Sequence, residues 1–218
     1  MKARIDAIIQ REQAEYLDRL LPQSTGLMAE MEAYAAEHRV PIADREVALF
    51  LEITARAINA RRALEIGTAI GYGAIHLARA MSEDGRVITI EPNEEMIRLS
   101  EDYLTRAGLR ERVQIERGYA LEVIPRLTET FDLLYIDAVK EEYGEYLDLA
   151  LPMLRAGGVC IVDNLLWGGQ VAGELRSPDQ QHSTEALREF NKKFVNHAQL
   201  RAEVLSVGDG LGYGVKIQ

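Results

Sequence analysis

The sequence predicts an α/β fold in which a doubly wound, mostly parallel seven-stranded sheet ends in an antiparallel hairpin. From Ala63 onward, apolar runs alternate with helical stretches, the pattern of parallel strand–helix–strand units. The first five runs are almost continuously apolar, as expected for strands that helices cover on both faces. The last two runs alternate apolar and polar residues around a glycine-rich turn at 208–212, which predicts a hairpin.

The predicted elements can be placed in order along the chain. The strands are Ala63–Ile66, Val87–Ile90, Val113–Ile115, Phe131–Ile136, Val159–Val162, Arg201–Val207 and Tyr213–Ile217. The later helices are Glu94–Arg106, Ala120–Leu127, Tyr143–Leu154 and Thr184–His197. Before the sheet we expect an amphipathic helix from Ile5 to Leu21 that stops at Pro22, a second helix from near Thr25, and a third capped by Asp44. No linker is evident, so we predict one domain over 1–218, with a helical N-terminal extension (1–60) and a core (61–218).

Composition limits the function classes. A chain of 218 residues with 47% apolar content can bury a sizeable core. It has no run of 18 apolar residues, so we expect no membrane-spanning segment. The single cysteine, Cys160, cannot form an internal disulfide, and the charged residues across 1–21 are untypical of a signal peptide, so we expect a cytoplasmic protein. The net charge of −10 argues against a broad basic surface for nucleic acid but leaves a local patch open.

A glycine turn follows the first strand. Gly67, Gly71 and Gly73 allow a tight turn and close approach of a ligand to the backbone, and their order differs from the dinucleotide fingerprint of nicotinamide dehydrogenases. Glu91 ends the second strand, 24 residues after Gly67. An acid at that place can accept hydrogen bonds from both ribose hydroxyls of a nucleoside. The alternative is an ordinary turn and a solvated acid.

Acids also end the fourth and fifth strands. Asp137 follows one and Asp163–Asn164 follows the other, and parallel strand ends meet at one edge of a sheet. Two carboxylates and an amide oxygen there suit Mg²⁺, with Mn²⁺ or Ca²⁺ as substitutes. Lys140 stands close enough to act as a base. The alternatives are independent capping acids and a solvated lysine that pairs with a neighbouring glutamate.

Taken together, these motifs resemble the cation-dependent O-methyltransferases, a Rossmann-like family that includes caffeoyl-CoA and catechol enzymes. The segments that carry the resemblance are EIGTAIGYG, TIEPN, the turn at Gly118–Ala120, FDLLYIDAVKEEY and GGVCIVDNLLWGG. The resemblance implies S-adenosylmethionine as cofactor and a divalent metal. The implied metal ligands are Asp137, Asp163 and Asn164; the implied catalytic residues are Lys140 and Asp137. The implied cofactor contacts are Ala43, Glu65, Gly67, Gly71, Gly73, Glu91, Tyr119, Ala120 and Asp137.

Within that family, EAYAAEHRVPI, LEIGTAIGYGAI and VGDGLG look most similar to bacterial tRNA 5-hydroxyuridine methyltransferases. The favoured acceptor is therefore a hydroxylated wobble uridine in a tRNA anticodon loop. A small catechol or caffeoyl-type phenolic is the alternative, since both acceptors chelate a metal through two adjacent oxygens, and a non-catalytic S-adenosylmethionine-binding protein is a further one. The side chains expected to meet phosphate, or else to form a solvated helix face, are Arg176, His182, Arg188, Lys192, Lys193 and His197.

Two positions depart from the family pattern, and the resemblance also bears on assembly. Gly73 stands where relatives commonly have serine, and Ala43 stands where they often have methionine, so we expect weaker cofactor contacts at both. Similar enzymes are homodimers, and we expect a homodimer here. Met28, Met31 and Tyr34 are the candidates for its surface.

Overall fold

The structure is a computed structural model that describes residues 11–173 and 178–218. The predicted helix start at Ile5 and the predicted phosphate contact Arg176 lie outside the described residues. The helices are α1 (Arg11–Leu20), α2 (Gly26–His38), α3 (Arg45–Ala57), α4 (Tyr72–Ala80), α5 (Glu94–Arg106), α6 (Ala120–Val123), α7 (Tyr143–Ala150) and α8 (Gln181–Val195). The strands are β1 (Arg62–Ile66), β2 (Arg86–Glu91), β3 (Val113–Arg117), β4 (Phe131–Ile136), β5 (Leu154–Val162), β6 (Leu200–Leu205) and β7 (Leu211–Lys216).

The described strands form one seven-stranded sheet in the order β3-β2-β1-β4-β5-β7-β6. β1 to β5 pair in parallel, and β7 runs antiparallel to both β5 and β6. This confirms the predicted doubly wound sheet with its C-terminal antiparallel hairpin. Chain order reverses between β1 and β4, and ligands of such sheets bind at this switch point, beyond the carboxyl ends of the strands.

The strand register brings the predicted acids to one edge. Ile66 pairs with Ile90 and with Ile136, and Ile136 pairs with Val162. The residue after each of these strand positions therefore lies in a common row. That row contains Gly67, Glu91, Asp137 and Asp163.

Helices cover the sheet on both faces. Residues of opposite parity along the central strands enter two separate buried clusters. One cluster packs α2, α3 and α4 against Ala63, Val87 and Leu133, and the other packs α6, α7 and α8 against Leu64 and Ile88. No helix in the described parts of the chain is long and apolar enough to cross a membrane.

The predicted partner surface on α2 is wrong. Met28 and Met31 are buried inside this chain, and Tyr34 stacks on His38. The methionines fill the layer between α2 and the helices on the sheet, so their stripe serves the chain's own core. Exposed apolar side chains lie instead on α1 and α3, at Tyr16, Leu17, Leu20 and Ile53.

Three predicted boundaries also need correction. The helix predicted to reach Leu154 ends at Ala150, because a short 3-10 turn that contains Pro152 follows over Leu151–Met153, and β5 starts at Leu154 instead of Val159. The helix predicted over Ala120–Leu127 likewise passes into a 3-10 turn after Val123. Asp44 precedes α3 as predicted, but its side chain makes no capping hydrogen bond. Its carboxylate lies beside Gly208 of the β6–β7 turn instead.

Candidate active site

A cavity of 540 Å³ opens at the carboxyl edge of the sheet, within the range of about 300–1,000 Å³ that is typical of small-molecule sites. Most of the residues predicted for the site line it. They are Ala43, Glu65, Gly67, Gly73, Glu91, Tyr119, Ala120, Asp137, Lys140 and Asn164. Gly71 and Asp163 are not among the lining residues. Asp163 lies just behind the wall, with 2% of its surface exposed.

The glycines of the turn are required by contacts within the chain. Gly67 has φ +102°, and a Cβ there would lie 2.0 Å from the carbonyl oxygen of Asp137. Gly71 has φ +87°, and its Cβ would lie 3.2 Å from Cβ of Ser100 on α5. The geometry therefore does not support a cofactor contact at Gly71. Its role is to start α4 and let α5 approach.

Glu91 is held in place by backbone donors. The amide of Ala69 donates to Oε2 at 2.9 Å and the amide of Asn93 donates to Oε1 at 3.0 Å. Burial raises the pKa of Glu91, and these backbone hydrogen bonds oppose the rise. Each carboxylate oxygen retains accepting capacity. Glu91 can thus receive two hydroxyls of a ribose in the cavity.

Glu65 is the most deeply buried acid of the cavity wall, with 1% of its surface exposed. The hydroxyl of Thr89 donates to its Oε2 at 2.6 Å. Burial raises the pKa of Glu65 to about 8; the Thr89 hydrogen bond opposes this rise, and the charges of Asp137 and Glu91 add to it. A cation bound beside Glu65 would favour its ionised form.

Asp137 and Asp163 lie around one tyrosine. The hydroxyl of Tyr135 is 3.2 Å from Oδ2 of Asp163 and 3.5 Å from Oδ2 of Asp137. Burial and then the charge of Asp137 raise the pKa of Asp163 to about 7. Two carboxylates this close repel unless a proton or a cation neutralises them. The donor chemistry therefore fits a divalent cation.

Asn164 completes the predicted ligand set. It adopts φ +61°, a left-handed conformation that costs energy for residues other than glycine. Its backbone N–H donates to Oδ1 of Asp163 at 2.7 Å. Its side chain lines the cavity. With two carboxylates and one amide, this set is oxygen-only. Among residues 11–173 and 178–218, no group of three or more His, Cys, Asp or Glu side chains is arranged to hold a metal.

Lys140 lies inside the site. Its Nζ donates to Oδ1 of Asp137 at 2.8 Å, with 12% of the lysine side chain exposed. The Nζ atom also lies 5.1 Å from the ring centre of Tyr143 and 6.0 Å from that of Trp167. The alternative of a solvated lysine paired with Glu141 or Glu142 is therefore not supported.

The loop after β5 forms the far wall. Trp167 has φ +51° and lines the cavity, and its indole nitrogen is buried without a partner among the described residues. The amide of Gly168 donates to both carboxylate oxygens of Asp209, at 2.8 and 2.9 Å. The β6–β7 turn thereby fixes this loop. Burial raises the pKa of Asp209 and also the pKa of Asp44. The negative charge of Asp137 raises the pKa of Asp44 further.

The cationic side chains predicted to meet phosphate are largely engaged within the chain. Arg188 donates to the carbonyl oxygens of Gln170, Val171 and Gly173. Lys193 donates to the carbonyl of Gly144 and pairs with Asp148 at 2.6 Å. These two residues hold α8 against the loop after β5 and against α7. Lys192 pairs with Glu189 on the surface, His182 is exposed, and His197 accepts the Gln199 amide.

Sequence reasoning missed four side chains of the site. Tyr135 contacts both aspartates, and Tyr143 donates to the carbonyl of Asp163 at 3.2 Å. Thr89 and Thr68 support Glu65 from behind. A polar residue at the penultimate position of an otherwise apolar strand was the available signal for Tyr135 and Thr89.

Known proteins of the same architecture are similar over most of the chain. Catechol O-methyltransferase of Niastella koreensis is 33% identical over 162 residues, 72% of each chain. Caffeoyl-CoA O-methyltransferase 2 of Populus trichocarpa is 27% identical, over 87% of this chain and 81% of that one. The O-methyltransferase TomG of Streptomyces achromogenes, solved with S-adenosylmethionine, superposes with a TM-score of 0.83 at 29% identity, over 94% and 95% of the chains. The O-methyltransferase family model matches residues 15–217, and the chain therefore belongs to this family of S-adenosylmethionine-dependent enzymes.

Proposed function

We propose that this protein methylates one hydroxyl of a small phenolic with two adjacent oxygens, of the catechol or caffeoyl type, and that Asp137, Asp163 and Asn164 hold a divalent cation for the reaction. The observation that carries the proposal is the pair of aspartates around Tyr135, with Asp163 buried and Asp137 half-buried, at strand ends next to that of the cofactor turn. Mg²⁺ suits this oxygen-only set, and Mn²⁺ or Ca²⁺ can replace it.

Each end of the cavity has its own task. S-adenosylmethionine supplies a methyl group on a positively charged sulfur, which an oxygen nucleophile displaces. Glu91 would receive the ribose hydroxyls, Glu65 would receive the ammonium of the methionine part, and Tyr119 and Ala120 would border the adenine. A divalent cation held by Asp137, Asp163 and Asn164 and by two adjacent oxygens of an acceptor would lower the pKa of the acceptor hydroxyl and fix its orientation.

Lys140 is the base of this proposal. Its Nζ lies beside Asp137 and inside the cavity wall, so an acceptor hydroxyl held near Asp137 is within its reach. In its neutral amine form Lys140 would take the proton from that hydroxyl at Nζ, and the acceptor oxygen would bond to the methyl carbon as the carbon–sulfur bond breaks, with the sulfur keeping the electron pair. Trp167 and Val139 line the same part of the cavity and provide an apolar wall for a flat ring.

Two observations support a small phenolic over tRNA. The relatives reported above carry the names of catechol and caffeoyl-CoA enzymes. In addition, Arg188 and Lys193, which the sequence offered for RNA phosphates, bind carbonyl and carboxylate oxygens of this chain. Phosphate contacts supply most of the affinity of a protein for nucleic acid. Because Arg188 and Lys193 already bind oxygens of this chain, they give little support to a tRNA acceptor.

The test is methyl transfer by the full chain to a panel of acceptors. The panel contains catechol, caffeoyl-CoA, a monophenol that cannot chelate, and tRNA from a strain that lacks wobble methylation. We expect turnover of the vicinal acceptors only, loss of turnover with excess chelator, and recovery with Mg²⁺ or Mn²⁺. Full activity in chelator, or equal use of the monophenol, would remove the cation from the proposal. Methylation of tRNA alone would assign an RNA acceptor.

A further inference from the structure

Three residues on neighbouring strands form a polar row beneath α4. In the sheet register Glu65 of β1 pairs with Thr89 of β2 on one side and with Tyr135 of β4 on the other. Thr89 and Glu65 are almost fully buried, at 0% and 1% exposure. Their neighbours on the same face, such as Ala63 and Val87, belong to the apolar core. Polar side chains buried in an apolar layer cost free energy unless each has its hydrogen-bond partners. Their presence here therefore calls for an explanation.

The hydrogen bonds of this row have a defined direction. In the ionised form that a bound ammonium favours, the Glu65 carboxylate only accepts hydrogen bonds, so the hydroxyl of Thr89 donates to Oε2 of Glu65, at 2.6 Å. The single hydroxyl proton of Thr89 is therefore used in its hydrogen bond to Glu65. The hydroxyl of Thr68, 2.6 Å from that of Thr89, must therefore be the donor to Thr89. The result is a chain of donors that runs from Thr68 through Thr89 to Glu65.

Gly73 of α4 leaves the space that the other oxygen of Glu65 occupies. A Cβ at position 73 would lie 2.2 Å from Oε1 of Glu65 and 3.4 Å from Cε1 of Tyr135. Gly73, Glu65 and Thr68 all line the cavity. The Glu65 carboxylate is thus held at Oε2 by the Thr89 hydroxyl. Its Oε1 occupies space that is free because residue 73 has no side chain.

We propose that Thr68 and Thr89 are positioning residues that hold the Glu65 carboxylate toward the methionine part of the cofactor, and that Gly73 keeps the room this arrangement requires. The inference rests on the proposed function, in which Glu65 receives the cofactor's ammonium. Neither threonine touches the cofactor in this scheme. Each acts through Glu65, so its effect is confined to ligands that carry the ammonium.

The first experiment compares two ligands by calorimetry. S-adenosylhomocysteine carries the ammonium, and 5′-methylthioadenosine lacks the whole amino-acid part. Replacing Thr89→Val, which keeps the shape and removes the hydroxyl, should weaken binding of S-adenosylhomocysteine about 10-fold, because a hydrogen bond to a charged group is lost. Binding of methylthioadenosine should stay within about 2-fold. Thr89→Ser should restore affinity, and Thr68→Val should act in the same direction with a smaller effect.

Thr184→Val is the matched control. Thr184 of α8 is equally buried, at 0% exposure, and its hydroxyl donates to the carbonyl of Gln180, the residue before this helix, away from the cavity. Its replacement should change neither affinity. If Thr89→Val weakens both ligands equally, or neither, the positioning role is overturned. A wild-type protein that does not bind S-adenosylhomocysteine would instead contradict the proposed function itself.

The second experiment tests the space at Gly73. Gly73→Ala should weaken S-adenosylhomocysteine binding about 10-fold or more, because the new Cβ displaces the carboxylate. In a Glu65→Ala background the same replacement should add less than about 2-fold, since no carboxylate is left to displace. Equal losses in the two backgrounds would mean that Gly73 serves the packing of α4 alone, and would overturn this part of the inference.

Discussion

The two ends of the cavity treat their carboxylates differently. At the cofactor end, Glu91 accepts two backbone amides and Glu65 accepts a hydroxyl. At the other end, Asp137 and Asp163 both lie beside the Tyr135 hydroxyl, and the charge of Asp137 adds to burial in raising the pKa of Asp163. Donors fixed by the fold preorganise a site without an added ion. A pair of like charges does the opposite and favours the binding of a cation.

Replacing Asp163 tests most directly whether the two ends of the cavity act independently. Asp163→Ala should lower kcat for a catechol about 10³-fold, because several kcal/mol of charge stabilisation disappear with the cation. S-adenosylhomocysteine should still bind within about 3-fold in calorimetry, since Glu65, Glu91 and the glycine turn are unchanged. Asp148→Ala is the control, because Asp148 is an exposed partner of Lys193. Parallel losses of turnover and cofactor binding would mean that the two ends are not independent.

Lys140 gives the next largest effect. Lys140→Met removes the proposed base and keeps most of the volume, and it should lower kcat about 10²-fold, the usual contribution of general base catalysis. The loss should shrink at high pH, where the acceptor hydroxyl ionises by itself. Lys192→Met is the control, with its exposed side chain on α8. A loss that is the same at every pH would assign Lys140 a structural role as the partner of Asp137.

The cofactor end makes a prediction in proton stoichiometry. The pKa of Glu65 is raised to about 8, so the unliganded protein at pH 7 holds most of a proton there. A bound ammonium favours the ionised form, and binding of S-adenosylhomocysteine should release nearly that amount. Calorimetry in buffers of different ionisation enthalpy measures the release. Glu65→Gln should abolish it, whereas Glu91→Gln should leave most of it.

The same pKa has a consequence for stability without ligand. The unfolded chain loses the Glu65 proton near the ordinary value of 4.5, and the folded chain retains it up to about pH 8. The contribution of this proton to folding is therefore complete below pH 4.5 and is lost as the pH rises toward 8, by up to about 5 kcal/mol. Relative to wild type, Glu65→Gln should gain stability over this range in denaturant titrations. Parallel pH profiles would contradict the raised pKa.

The sequence predicts those parts of the site that follow from the alignment of strand ends, and it does not predict those that depend on how strands and helices pack together. Parallel strands that end on acids place Asp137 and Asp163 at one edge, because the register of aligned strand ends follows from the fold class. The partnership of Glu65 with Thr89 and Gly73 needs the register of two strands and the approach of α4 together. Side-chain periodicity contains neither. The family resemblance of its motif predicts Lys140 as the base, whereas the residue considered in isolation favours a solvated lysine.

Stripes on helices were harder to interpret. Met28 and Met31 form an apolar stripe that would suit a partner surface, but α2 has its apolar neighbours inside this chain. Arg188 and Lys193 belong to a charged helix face that would suit phosphate, yet Arg188 binds carbonyl oxygens of the loop after β5 and Lys193 binds oxygens of α7. A pattern on one helix shows which residues share a face. It does not show what that face meets.

The smallest expected effect concerns that face of α8. Lys193→Ala removes the bonds to Asp148 and to the Gly144 carbonyl, and because the pair is partly exposed it should lower the free energy of unfolding by less than about 1 kcal/mol. Lys192→Ala, whose side chain pairs only with exposed Glu189, should change it less. Neither should alter turnover of catechol. If tRNA is also an acceptor and these lysines bind phosphate, each replacement should reduce the salt dependence of tRNA binding by about one unit of slope. A lysine that stabilises α8 against α7 leaves that slope unchanged, so denaturant and salt titrations together separate the two roles.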